Sequence, residues 1–100
     1  MGISFDQEIG YLWAHCDNNC NNQANVLNIE TNVGSPTLGK FILRAKFARP
    51  TTLGNFNHEG ITFEPESLCV GGFKKYFWTD DDGTGGHSIR RDSIPCGHFL

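Results

Sequence analysis

Internal repetition constrains this chain more than any other feature of its sequence. The stretch GISFDQEIGYLWAHCDNN, starting at Gly2, is echoed by EGITFEPESLCVGGFKKYFWTDDDG, starting at Glu59. In both, a Gly-Ile-(Ser/Thr)-Phe run is followed by an acidic turn. An aromatic run comes next, and its Trp (Trp13 or Trp78) leads into Asp, Asn or Gly. Gly2 recurs 58 residues on as Gly60, and Trp13 recurs 65 residues on as Trp78. The second copy therefore carries seven more residues, Cys69 among them. A repeat of this length built from short strands points to β-propeller blades, each a small antiparallel sheet that must stack on its neighbours to bury its faces.

Seven segments read as strands: 2–5, 10–15, 24–30, 40–48, 59–63, 73–79 and 87–92. Each is rich in β-branched or aromatic residues and is bounded by turn formers. Asp6-Gln7-Glu8, the Asn-rich 17–22 loop and Asn32-Val33-Gly34-Ser35-Pro36 are hairpin connections. The expected fold is all-β, with residues 1–48 forming a first four-stranded blade, 49–57 a crossover, and 58–100 a second, incomplete blade. Propellers close with roughly four to eight blades, whereas this chain supplies about one and three-quarters, so it reads as a fragment of a larger protein. Its open faces would need the remaining blades or another copy of the chain.

A formal charge of −3 and a pI of about 5.7 give no electrostatic case for nucleic acid or an anionic membrane surface. No apolar run approaches the ~18 residues of a membrane span, and no signal-peptide pattern stands at Met1. An even number of cysteines fits disulfides and an extracellular or periplasmic setting. Cys16 and Cys20 are close enough to bridge across a turn, and Cys69 in the extra loop can reach Cys96. The rival, a zinc site from Cys16, Cys20, Cys96 and His98, has no standard ligand spacing.

The run NFNHEGITFEPESLC, the stretch KKYFWTDDDGTGGHSIRR and the ending SIPCG resemble the C-terminal portion of bacterial secreted proteins with the esterase-like domain of phytases. The segment GISFDQEIGYLWAHCDNNC resembles that family's penultimate blade, so the likeness covers nearly the whole chain. It implies a calcium-binding β-propeller with phosphoester or carboxylester hydrolase activity in the full-length protein. In the β-propeller phytases, a similar Glu-Gly pair and an acidic cluster at the end of the next strand supply calcium ligands. Glu59-Gly60 and Asp80-Asp81-Asp82 match those positions.

The residues make part of that case unaided. A carboxylate at Glu59, where an inner strand begins, would face a central channel, and Gly60 beside it allows close backbone approach. Three consecutive aspartates repel one another without a cation, and calcium takes six to eight oxygen ligands. The alternatives are a solvated turn at Asp80–Asp82 ended by Gly83, and a simple hydrogen-bonded strand end at Glu59. An EF-hand reading of DDDGTGG fails because Arg91 stands where the bidentate Glu belongs.

No Gly-x-Ser-x-Gly elbow or recognisable triad accompanies His15, His58, His87 or His98. Lys74, Lys75, Arg90 and Arg91 read as decoration of strand faces, with service as phosphate ligands the alternative. Phe5, Trp13, Phe63, Phe77 and Trp78 are expected in the core between blades. A calcium-stabilised module that binds an extracellular partner, and a truncated chain with no function of its own, remain alternatives to a hydrolase.

Overall fold

The computed structural model describes residues 2–16, 23–48, 58–80, 84–86 and 88–100, and it is all-β. Strands β1 (Gly2–Asp6), β2 (Tyr11–His15), β3 (Ala24–Ile29) and β4 (Phe41–Phe47) form one antiparallel sheet in sequence order. Strands β5 (His58–Phe63), β6 (Phe73–Asp80) and β7 (Ile89–Pro95) form a second, also in sequence order. The only helical segments among the described residues are the 3-10 turns Glu66–Leu68 and Thr84–Gly86. Cysteine chemistry agrees with the sequence: Cys69 and Cys96 form a disulfide with Cα atoms 6.2 Å apart. Cys16 is disulfide-bonded as well, and its expected partner Cys20 lies outside the described residues.

Period-two alternation decides which face of each strand is covered. In β2, Tyr11, Trp13 and His15 are buried while Leu12 and Ala14 are only half-buried. In β6, Lys74, Tyr76, Trp78 and Asp80 are buried. The two sheets lay these faces together, so Tyr11, Trp13, Ala24 and Val26 of the first form one core with Tyr76, Trp78 and Ile94 of the second. The echo therefore has a spatial meaning: YLWAH and YFWTD place Tyr, Trp and a terminal polar residue at matching positions of two facing sheets. The C-terminal Phe99 closes the core from one end, with its ring 4.9 Å from that of Tyr11 and edge-on to it.

The sheets approach most closely along their first strands. A Cβ on Gly2 would lie 2.0 Å from the carbonyl oxygen of Glu59, so only glycine permits this contact between β1 and β5. The β1–β2 turn is equally specified. The Asp6 carboxylate accepts the Glu8 N–H at 3.2 Å, the Gly10 N–H closes onto the Asp6 carbonyl at 2.8 Å, and Gly10 takes a φ of 74°.

Three expectations are corrected here. The last strand runs from Ile89 to Pro95 rather than over 87–92, because pairing continues to Phe73↔Pro95 and Ile94 reaches the core. Pro95, having no N–H to donate, is tolerated because it ends an edge strand. Phe5 is not core between the sheets but 44% exposed on the outward face of the first sheet, where it meets Phe41 edge-on at 6.2 Å. Phe77 alternates with Tyr76 and Trp78 and so also points outward. The crossover 49–57 and the 17–22 loop lie outside the described residues.

Candidate functional site

One end of the paired sheets holds Glu59 and Asp80, two of the residues that the sequence singles out. Pairing sets His58 against Asp80 and Gly2 against His15, while Gly2 touches Glu59 across the sheets. The β5–β6 register shifts between His58 and Ile61, so Glu59 and Gly60 sit in a bulge. There the Gly60 N–H donates to the Thr79 hydroxyl at 2.7 Å, an unusual partner for a strand amide. Bulges re-aim side chains at the rims of sheets, and this one leaves Glu59 exposed beside the end of β6.

Asp80 behaves differently from Glu59. Its side chain is fully buried, and Arg90 Nε faces its Oδ2 at 3.4 Å. The Arg90 guanidinium lies 5.9 Å from the Trp78 ring centroid, and the Trp78 indole N–H donates to Asp92 Oδ2 at 3.1 Å. Buried charge demands compensation, and Arg90 supplies it. Asp80 is therefore tied into the protein, and Glu59 is the exposed carboxylate of the pair. Asp81 and Asp82, as well as His87, lie outside the described residues. Among the described residues no group of three or more His, Cys, Asp or Glu side chains is placed to hold a metal ion.

The opposite end holds an ionic cluster that the sequence does not announce. Lys74 is not surface decoration: it is 2% exposed, its ammonium pairs with Asp6 from the first sheet, and it reaches Glu66 Oε1 at 2.6 Å. Glu66 in turn accepts the Gly97 N–H at 2.7 Å, and the Glu66 N–H donates to Glu8 Oε2 at 2.6 Å. Burial works to lower the Lys74 pKa, but hydrogen bonds to Asp6 and Glu66 and their charges outweigh it and hold the ammonium above its ordinary 10.5. Burial likewise works to raise the Glu66 pKa. Hydrogen bonds from Lys74 and Gly97 outweigh it and hold the carboxyl below 4.5. The cluster fastens the extra loop of the second copy onto the turn of the first. Period-two alternation was the one signal for Lys74, since it places residue 74 on the same face as Tyr76 and Trp78.

Of the remaining cations, Lys75 is exposed and bonds Ser93, Arg91 is exposed, and Arg90 is half-buried. Among the histidines, His15 is buried with its ring 5.3 Å from that of Tyr76, and His98 lies on the surface against Tyr11. Between the outer strands the sheets diverge. They enclose a cavity of about 350 Å³ whose walls include Trp13, His15, Phe47, Tyr76 and Asp92. Among the described residues no helix is long and apolar enough to cross a membrane. No family model, no curated protein and no solved structure significantly matches this chain.

Proposed function

We propose that this chain forms two adjacent blades of a secreted, phytase-like or esterase-like β-propeller. The acidic end of its second blade takes calcium, and the full-length protein hydrolyses phosphoesters or carboxylesters. The observation that carries this reading is the arrangement of Glu59. A β-bulge leaves Glu59 exposed at the start of β5, next to His58, which pairs with the Asp80 that ends β6. Two antiparallel meanders in contact along their first strands also fit neighbouring blades around an axis.

Glu59, exposed at the start of β5, and Asp81 and Asp82, which follow β6 in the sequence, are the proposed ligands, and Asp80 holds the strand end through Arg90. Calcium there would neutralise a phosphate or polarise a carboxylic ester. Arg90, half-buried beside it, would be the nearest cation to a substrate oxyanion. Lys74 has no part in this, being buried in its own ion cluster.

A second reading, a non-catalytic calcium-stabilised module that binds an extracellular partner, draws on the outward face of the first sheet. Ile3, Phe5, Ile29, Phe41 and Leu43 are all exposed there, and such a face suits the remaining blades or another copy of the chain. Calcium titration by isothermal calorimetry of the wild type and of an E59Q/D81N variant tests the metal site. Saturable binding by the wild type alone is expected. Absence of binding, or equal binding by both, would remove it. Ester hydrolysis by the calcium-loaded full-length protein would favour the hydrolase over the binding module.

A further inference from the structure

We propose that the cavity between the outer strands is a binding site for a small organic cation, an ammonium group carried on an apolar body. This does not rest on the calcium reading, because none of Glu59, Asp80 or Arg90 lines the cavity. At about 350 Å³ it falls within the range of small-ligand sites. Trp13, His15 and Tyr76 form a buried floor, while Phe47 and Phe73 stand half open at the mouth. An aromatic wall of this kind takes either an apolar group or a cation, since ring faces carry negative potential.

The charge at the rim decides between them. Asp92 is the only charged residue lining the cavity among the described residues, and no Lys or Arg lines it. One Asp92 carboxylate oxygen accepts the Trp78 indole N–H, and the other takes no hydrogen bond among the described residues. Asp92 is exposed at the rim, where an anion would meet its repulsion and a wholly apolar ligand would gain nothing from its charge. An ammonium answers both the carboxylate and the rings.

The same sheets already place cations against aromatic faces twice. Lys74 Nζ lies 5.7 Å from the Phe63 centroid, and Arg90 lies 5.9 Å from that of Trp78. In addition, the Trp13 indole N–H is buried with no hydrogen-bond partner among the described residues, whereas its counterpart Trp78 has one. A ligand carrying a hydroxyl oxygen as well as the ammonium could accept from it.

The test uses the two indole N–H resonances of the chain in proton–nitrogen correlation spectra, assigned with a Trp13→Phe variant. Choline is titrated against 3,3-dimethylbutan-1-ol, its uncharged isostere. We expect a saturable shift of the Trp13 resonance with choline, and affinity lower by about tenfold or more for the neutral compound, as for loss of a desolvated cation–π and carboxylate contact. An Asp92→Asn variant, which keeps an acceptor for Trp78, should lose the preference for choline while unfolding like the wild type. Equal binding of the two compounds by the wild type, or no saturable shift with choline, would overturn the proposal.

Discussion

The two copies of the repeat share strands and differ in what secures them. In the first, five residues from Asp6 to Gly10 close the hairpin, and the Asp6 carboxylate caps its own turn. In the second, the corresponding acid is Glu64, which accepts the Lys75 N–H at 2.9 Å, and the connection lengthens into the 3-10 turn Glu66–Leu68 and the Cys69 disulfide. The added residues supply Glu66, which reaches back to the first copy's turn, and the strand after them supplies Lys74. At the other end the copies differ again. His15 and Val26 of the first sheet are matched by Asp80 and Arg90 of the second, so an imidazole and an apolar side chain stand where the second sheet has an ion pair. The repeated sequence forms two similar sheets, and the departures from repetition carry both the fastening and the candidate site.

The largest effect that would break this comparison lies at Lys74. Lys74→Met leaves Asp6 and Glu66 without their cation, and a loss of about 3–5 kcal/mol in denaturant unfolding is expected. A Lys74→Met/Asp6→Asn variant should recover part of it. Removing the Cys69–Cys96 disulfide by paired serine substitution should cost about 3–4 kcal/mol on the chain-entropy treatment of its 27-residue separation. Equal stability with and without the bridge would show that Glu66 alone secures the loop.

The ionic cluster also dictates a pH profile. Because the folded Glu66 pKa lies below 4.5, its contribution is complete above that value and is lost as pH falls through the folded pKa. Because the folded Lys74 pKa lies above 10.5, its contribution is complete below that value and is lost as pH rises through the folded pKa. Glu66→Gln should flatten the acid limb of a stability-versus-pH curve and leave the wild type steeper there.

Smaller still is the difference between the tryptophans. Trp78→Phe loses the hydrogen bond to Asp92 and should cost about 1 kcal/mol more than Trp13→Phe. The exposed Arg44–Glu30 pair sets the floor, and Arg44→Ala should change unfolding by about 1 kcal/mol or less.

All seven strands were legible in the sequence, because alternation and turn residues are local signals. The end of β7 was not, since Ser93 and Pro95 look like turn formers and only pairing with Phe73 and Lys74 carries the strand past Asp92. The outward placement of Phe5 and Phe77 was also hidden, because apolar character shows that a face will be covered and not which sheet covers it. Glu59 and Asp80 stand at one end of the second sheet, at the start of β5 and the end of β6. Their unlike fates, one exposed in a bulge and one buried against Arg90, depend on a register shift and a cross-strand partner that spacing alone does not reveal. The Lys74 cluster joins residues 68 apart in sequence, beyond the reach of any motif.

The most direct test of a cation site confined to the second copy is terbium luminescence excited through tryptophan, with terbium standing in for calcium. Trp78 is two residues from Asp80 and pairs with Ile61 beside the Glu59 bulge, so it should be the donor. Sensitised emission that calcium displaces, that survives Trp13→Phe and that disappears in Trp78→Phe is the expected result. Emission that instead depends on Trp13, or no sensitised emission in the wild type, would contradict it.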